Sequence, residues 1–263
     1  MNAREDLPSM PETYSDAALL GYLEPVAKAL LERHLQTTEE WFPHELVPYS
    51  IGEDFDKEEQ EWDPETSPRN GINLNEDERL IIRAEMLELT DLPNHFRART
   101  RLSPADHPLR SWHKVWAAER GRHEIALQNL LCVTNAVDLR DLERARMRRV
   151  SRSDDTSTEH LAAPLPEALP PTLADCLIHF KQHSLEAVHR HRELSHRLSQ
   201  SAGQAILTLI ANDELRHYDF FCQLTNVAFS FDAYSMIIAG MRYRVLQPDA
   251  GSNIVVVGDL GFE

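Results

Sequence analysis

Glycine is scarce in this chain, which has only 9 glycines among 263 residues. Neither G-x-G-x-x-G nor G-x-x-x-x-G-K-[ST] occurs, so the phosphate-cradling loops of nucleotide-binding proteins are not indicated. Cysteine is scarce as well: Cys132, Cys176 and Cys222 are widely spaced and form no C-x-x-C pair. The sequence therefore predicts free buried thiols instead of a disulfide framework or a zinc knuckle.

Positive charge and long apolar runs are also lacking. The chain has 27 Lys and Arg against 43 Asp and Glu, a formal net charge of -16. This balance argues against general nucleic-acid binding, which needs clustered cations against phosphate. The apolar runs are shorter than the roughly 20 residues that cross a bilayer, so no membrane span is expected. The acidic N-terminus lacks the apolar core of a signal peptide, and we expect a cytoplasmic protein.

Apolar residues, by contrast, make up 42% of the chain, which is enough for a sizeable core. Their helical spacing predicts four long helices, at residues 73–100, 112–133, 173–199 and 202–229, with smaller helices at each end. This is the pattern of an all-α helical bundle. We predict a single domain over residues 1–263, with a flexible arm at 1–15 and a C-terminal helix and tail at 230–263. Within the tail, NIVVVGDL is compatible with a short strand or a docked arm.

Several helix boundaries have local signals. Ser15 is placed to cap the first helix, and Ser111 to cap the helix that begins near Trp112. Pro25 is expected to interrupt the first helix. The stretch at 43–72 is rich in proline and charge and predicts a long irregular loop, while the connector near residue 165 holds four prolines.

The strongest site-like signal is in the segment IANDELRHYDFF. Glu214 and His217 are spaced i, i+3 and project from one helical face that also carries Ile210 and Phe221. A carboxylate and an imidazole on an apolar face cost free energy unless something pairs with them. A metal ion is one such partner, although an E-x-x-H taken alone is more often a surface pair.

A second segment, WAAERGRHEIALQNLL, places Trp116, Glu119, His123 and Leu127 on one helical face. Glu119 and His123 are spaced i, i+4, whereas the pairs of di-iron bundles are spaced i, i+3. The residue three positions before His123 is Arg120.

Both segments resemble the metal helices of the acyl-carrier-protein desaturases, the ferritin-like di-iron type, particularly their actinobacterial branch. The family pattern W-T-A-E-E-x-x-H is similar to residues 116–123, and D-E-x-R-H is similar to 213–217. The segment LEPVAKALLERHLQTTEEWFPHELVPYSIGEDF and the EWDP motif also look like this family. The resemblance covers roughly residues 20–235 and implies a ferritin-like bundle, two iron ions, O2 chemistry on a carrier-bound acyl chain, and a homodimer.

The implied ligand set is incomplete. His123, Glu214 and His217 match family ligands. At the other three ligand positions the family has glutamate, whereas this chain has Leu89, Arg120 and Gln182. Two iron ions need several anionic oxygens, so the loss of three carboxylates and the gain of a guanidinium oppose a dimetal site.

This loss has three possible consequences. Arg120 can pair with Glu214 and take the place of a cation. Alternatively, the neighbouring Glu88, Glu119 and Glu186 can restore a dimetal site, or His123, Glu214 and His217 can hold a single ion. The rescue requires helix rotation or a bulge, because a shift of one residue turns a side chain by roughly 100°.

Two other groups of residues are candidates for a functional role, and for each the alternative is a solvated surface position. The histidines of the third long helix are expected to be mostly solvated, and His189 and His191 to face apart. A basic cluster is expected either to dock an acidic acyl carrier protein or to form a solvated turn. Its proposed docking residues are Arg140, Arg144, Arg148 and Arg149.

Three functions fit these observations. The first is a desaturase-like oxidoreductase that uses iron, O2 and an electron donor such as ferredoxin. The second is a metal-free or metal-poor protein that binds or transforms a carrier-tethered chain without redox chemistry. The third is a non-catalytic partner of an intact paralogue. The fold does not decide among them, since function depends on the site.

Overall fold

In the computed structural model, the residues that the structure describes are 15–47, 74–100, 104–134, 139–155, 172–199 and 201–246. Within them the secondary structure is entirely helical, which confirms the all-α prediction. The helices are α1 (Asp16–Thr37), α2 (Pro43–Leu46), α3 (Glu76–Thr100), α4 (Pro108–Val133), α5 (Leu139–Asp155), α6 (Leu173–Arg197), α7 (Ser201–Phe231) and α8 (Ala233–Leu246). None of the helices in this part of the chain is long and apolar enough to span a membrane. The NIVVVGDL segment and the four-proline connector lie outside the described residues.

The ends of the helices follow local chemistry, with three departures from expectation. Ser15 caps α1 as predicted, since its hydroxyl accepts a hydrogen bond from the Ala18 amide. Pro25 does not interrupt α1, which runs through it for 22 residues. The cap of α4 is His107 instead of Ser111, with Pro108 in the first turn, where a missing N–H costs nothing. Residues 43–46 of the expected loop form the short helix α2.

Helix α5 was predicted only as a basic segment. It is a helix of 17 residues whose buried Leu142 and Ala145 pack inward while arginines point outward. The N-terminus of α6 is fixed by a reciprocal capping box between Thr172 and Asp175. The longest packing seams join α6 to α7 and α3 to α4, and α7 also contacts α1, α4 and α8.

The core consists of two apolar clusters with a polar layer between them. Along α4, Trp112 and Trp116 belong to the first cluster, whereas Leu127 and Leu130 belong to the second. Helix α7 has the reverse order, from Ile206, Leu207 and Ile210 to Phe220 and Phe221, so α4 and α7 run antiparallel. The residues between these blocks are charged and buried: Glu119, Arg120 and His123 on α4, and Asp213, Glu214 and His217 on α7.

Candidate functional site

The polar layer places the site residues of α4 and α7 against one another. Arg120 and Glu214 form an ion pair, with the guanidinium Nη2 donating to Glu214 Oε2 at 2.9 Å. Their side chains are 1% and 0% exposed, so this is a fully buried pair. The guanidinium also lies over the Trp116 ring, 4.9 Å from its centroid. The Arg120–Glu214 pairing that the sequence suggested is therefore present.

Glu119 enters the same layer from the neighbouring position of α4. Its carboxylate accepts hydrogen bonds from His217 Nε2 at 2.5 Å and from His34 Nε2 at 3.0 Å. It reaches both partners because α4 contacts both α1 and α7. Glu119 does not take the place of Arg120, which keeps its own position on Glu214.

His34 is the residue that sequence reasoning missed. It lies on α1, is 6% exposed, and packs edge-on against Trp112 with ring centroids 4.6 Å apart. Its position four residues after Leu30 continues the apolar face of α1. A histidine that continues an apolar stripe was the available signal.

His123 joins the layer through Asp213. Its Nε2 lies 2.7 Å from Asp213 Oδ2, and Asp213 also accepts hydrogen bonds from Trp41, Arg122 and Arg216. On the other side of the ring, His123 Nδ1 lies 3.8 Å from Glu214 Oε1. Among the described residues neither of these two buried atoms has a hydrogen-bond partner.

The remaining predicted site residues are dispersed. Leu89 is buried in the second apolar cluster, and Gln182 is a half-buried residue of α6. Glu186 accepts a hydrogen bond from the Tyr243 hydroxyl on α8 at 2.8 Å. The side chain of Glu88 lies outside the described residues.

Helix α6 contributes histidines to buried positions. Burial, together with the charge of Arg120, lowers the pKa of His183 to about 4, so this ring is neutral near pH 7. His191 is fully buried 2.9 Å from Glu85, whereas His189 is exposed. The expectation that His189 and His191 face apart is confirmed, whereas His183 and His191 both depart from the expectation of mostly solvated histidines.

The charges of the central layer balance without any ion. Burial opposes ionisation of Glu214, but Arg120 and His217 outweigh it and hold the pKa of that carboxyl well below its usual range. Burial acts likewise on Glu119, where the hydrogen bonds from His217 and His34 hold the pKa low. Burial acts to lower the pKa of His217, but Glu214 and Glu119 raise it to about 9. At neutral pH, Arg120 and protonated His217 therefore offset Glu119 and Glu214.

These residues do not fit a two-iron centre. The guanidinium of Arg120 already neutralises Glu214, and an apolar Leu89 side chain stands at another carboxylate position of the family pattern. Two divalent ions would then face two carboxylates and a fixed cation, which leaves most of their charge uncompensated in a buried site.

Comparison with known proteins identifies the family. The family model described as fatty acid desaturase matches residues 15–248, which is most of the chain. The chain belongs to this desaturase family. DesA1 of Mycobacterium tuberculosis, an acyl-[acyl-carrier-protein] desaturase by name, is 28% identical over 221 residues, covering 84% of this chain and 63% of its own. The chloroplastic stearoyl-[acyl-carrier-protein] 9-desaturase 1 of Arabidopsis thaliana is 23% identical over 253 residues, covering 90% of this chain and 57% of its own.

The fold agrees with a solved relative. The X-ray structure of DesA2 from Mycobacterium tuberculosis matches with a TM-score of 0.62 and 26% identity, covering 90% of this chain and 81% of that one. The ferritin-like bundle expected from the sequence is thereby confirmed. The chain spans about three fifths of the length of DesA1.

A pH-dependent stability follows from His217. Its folded-state pKa is raised from 6.5 to about 9, so its contribution is fully present below pH 6.5 and is lost as pH rises through 9. The size of this shift corresponds to about 3 kcal/mol. We expect chelator-treated protein to lose this stability between pH 6.5 and 9 in urea unfolding. His217→Gln is expected to flatten this profile, whereas His196→Gln at an exposed position of α6 is expected to leave it unchanged; equal profiles in all three would contradict the assignment.

Proposed function

We propose that this chain binds an acyl chain tethered to an acyl carrier protein, and that it does so without the two-iron oxygen chemistry of desaturases. The carrier-linked substrate is supported by the names of DesA1 and the Arabidopsis relative. The absence of two-iron chemistry is supported by the buried Arg120–Glu214 pair, which places a permanent cation beside a family carboxylate.

The chemistry open to such a site is acid–base and electrostatic. The His123 ring has a lowered pKa because burial outweighs its bond to Asp213, so it is neutral near pH 7. A neutral ring that donates Nε2–H to Asp213 keeps a lone pair on Nδ1. His123 is thus the group in this layer best able to accept a proton, while protonated His217 is held between two carboxylates.

The experiment compares binding with turnover. The full chain is mixed with acyl carrier protein carrying a stearoyl or a shorter acyl chain, and binding is measured by calorimetry. In parallel, the mixture is supplied with O2, Fe(II), reduced ferredoxin and ferredoxin reductase, and the acyl products are analysed by mass spectrometry. We expect binding that depends on the attached acyl chain, with no loss of two hydrogens from it. No binding to any acylated carrier would overturn the substrate class, and a desaturated product would overturn the non-redox assignment.

The second candidate is the desaturase-like oxidoreductase, which would need iron and an electron donor such as ferredoxin. One observation favours it: His123 Nδ1 and Glu214 Oε1 are buried, 3.8 Å apart, and have no hydrogen-bond partner among the described residues. Both atoms are electron-pair donors, so a cation near them would relieve their burial cost. A desaturated product in the assay above would support this candidate.

The exposed face of α5 is the proposed docking surface for the carrier. Arg140, Arg144 and Arg148 are spaced i, i+4, i+8 and are all exposed, so they form one stripe along the helix. Arg144 pairs with Asp141 within this stripe. The side chain of Arg149 lies outside the described residues. Since carrier proteins are acidic, a cationic stripe on a protein of net charge -16 supplies local complementarity.

This surface predicts a salt-sensitive association. We expect the double variant Arg144→Glu/Arg148→Glu to weaken carrier binding about 10-fold or more at low salt, mostly by slowing association. The matched control reverses two arginines of α6, Arg192→Glu/Arg197→Glu, with the same change in net charge. Association rates measured by stopped-flow fluorescence at several salt concentrations distinguish the two. Equal weakening in both variants would place the effect on net charge and contradict a docking site on α5.

A further inference from the structure

We propose that His34, Glu119 and His217 bind one divalent transition-metal ion, at a place different from the two-iron arrangement implied by the family pattern. The proposal goes beyond carrier binding, and it can fail while carrier binding holds. Two of its three residues, His34 and Glu119, are not ligands in the family pattern. The three residues come from three different helices, α1, α4 and α7.

The donor atoms already converge. One donor atom from each of the three residues lies within 4.8 Å of the others. Glu119 bridges the two rings, with Oε1 at 3.0 Å from His34 Nε2 and Oε2 at 2.5 Å from His217 Nε2. In a tetrahedral zinc site with bonds near 2.0–2.1 Å, ligand atoms lie about 3.3 Å apart. An ion therefore requires the Glu119 oxygens to move away from the His34 and His217 nitrogens, from 3.0 and 2.5 Å toward this spacing.

The three residues of the site are buried, and Glu214 contacts the far side of the His217 ring. His34, Glu119 and His217 are 6%, 7% and 0% exposed. Glu214 Oε2 lies 3.3 Å from His217 Nδ1, on the opposite side of the ring from Glu119. A carboxylate at Nδ1 favours the tautomer that keeps its proton there and leaves Nε2 for a metal. The arrangement carboxylate–histidine–metal is a common one in zinc sites.

The donor set indicates the class of ion. Two imidazoles and one carboxylate form the set that binds catalytic zinc with an open fourth position, and also the facial triad of non-haem iron(II). Hard ions such as Mg²⁺ and Ca²⁺ prefer all-oxygen sites and are not expected here. A divalent transition ion, with zinc and iron(II) as the leading members, fits these three residues.

Arg120 does not exclude this ion. Its guanidinium hydrogen-bonds Glu214 Oε2, so the Glu214 carboxylate stands between Arg120 and the His217 ring. The ion would be the cation next to Glu119, on the side of His217 away from Glu214. One ion would then be held by the Glu119 carboxylate and two neutral imidazole rings, as in other His2Glu sites.

The test uses cobalt(II) alone as a spectroscopic probe. The full chain is stripped with a chelator, titrated with Co²⁺ without oxygen, and followed by its visible absorption and by metal per chain in equilibrium dialysis. We expect one Co²⁺ per chain, bands typical of nitrogen and oxygen ligands, and displacement by Zn²⁺. Glu119→Gln and His34→Ala are expected to weaken Co²⁺ binding more than about 100-fold, beyond the losses caused by removing a residue that only supports a ligand. His191→Ala, which removes another fully buried histidine, is the control and is expected to bind Co²⁺ as the unaltered chain does.

Each result decides the assignment. If His34→Ala does not fold, His34→Gln replaces it, because glutamine keeps a hydrogen bond to Glu119 and has no imidazole; helix content by circular dichroism checks its fold. The proposal is overturned if the unaltered chain binds no Co²⁺, or if both His34 variants bind it normally. It is also overturned if His123→Ala abolishes binding while the His34 variants keep it, since the ion would then sit at the family position. Acylated carrier binding, measured in chelator, is independent of all these outcomes.

Discussion

Replacement of Arg120 by alanine is expected to destabilise the protein by about 3–5 kcal/mol, because it leaves the Glu214 carboxylate buried without its strongest cation. Glu214 is 0% exposed, so water cannot take the place of the guanidinium. For a chain of this size the loss corresponds to a fall in Tm of roughly 10 °C. Thermal and urea unfolding of chelator-treated protein measure it.

The matched control is Arg122→Ala, two residues further along α4. Arg122 Nη2 donates to Asp213 at 2.7 Å, and its side chain is 18% exposed. Asp213 keeps Trp41, His123 and Arg216 as partners when Arg122 is removed. We therefore expect a loss of about 1 kcal/mol or less, as for a partly exposed pair. Equal losses in the two variants would show that Arg120 acts as one more helix arginine and not as the cation of the buried layer.

The stability lost on replacing Arg120 by alanine is expected to depend on pH. The Arg120 pair lowers the pKa of Glu214 from its usual 4.5, so the stability it contributes is present above that value and is lost on acidification. The difference between the unaltered chain and Arg120→Ala should shrink as pH falls below 4.5 toward the lowered folded-state pKa of Glu214, because a protonated Glu214 needs no cation. A difference that stays constant with pH would indicate lost packing against Trp116 instead of lost charge pairing.

The sequence was sufficient to predict the helical bundle because helix periodicity and caps are local. Ser15 caps α1 as expected from its residue type and position. The expectation for Pro25 was wrong because a proline in the third turn removes one hydrogen bond, and packing of α1 against α4 and α7 outweighs that loss. Helix α5 was missed because its many arginines obscure the apolar spacing of the two buried residues, Leu142 and Ala145, that anchor it.

Spacing along the sequence could predict only those contacts of the site that lie within one helix, and not the contacts between helices. Pairs within one helix, such as Glu214 and His217, can be found from spacing alone. His34 meets Glu119 across 85 positions of the chain, and this contact depends on how α1 packs against α4. The family pattern has its glutamate three residues before His123, where this chain has Arg120, so the sequence alone indicates Glu119 only as a possible compensating ligand. The structure shows that consecutive residues of α4 serve two neighbours: Glu119 reaches His34 and His217, whereas Arg120 reaches Glu214.

The apolar clusters on both sides explain why the polar layer must balance its own charge. Trp112 and Trp116 close it on one side, and Leu127 with Ile210 on the other. In such surroundings an unpaired ion costs several kcal/mol, so the loss of carboxylates from the family pattern disfavours the iron ions they would neutralise, and the remaining Glu214 then needs another cation. The guanidinium at position 120 is that cation, since it pairs with Glu214 directly.

The converse substitution, Arg120→Glu, is expected to create a second metal site. It places a carboxylate on α4 three residues before His123, which restores one element of the family pattern. His123 Nδ1 and Glu214 Oε1 lie 3.8 Å apart and have no hydrogen-bond partner among the described residues, so two of the donor atoms for an ion are already placed. Without metal, the introduced carboxylate and that of Glu214 would be adjacent buried anions, and we expect the chelator-treated variant to be less stable than Arg120→Ala.

Added metal should reverse this loss, because an ion that binds the folded chain stabilises it by mass action. We expect Fe(II) or Zn²⁺ to raise the Tm of Arg120→Glu far more than that of the unaltered chain, and bound metal to rise by one ion per chain in elemental analysis. Arg120→Gln is the control, since it removes the same cation without adding a carboxylate, and it should gain no ion. If Arg120→Glu binds no more metal than Arg120→Gln, then the missing carboxylates at positions 89 and 182 limit the site, and the cation at position 120 is not what keeps a second ion out.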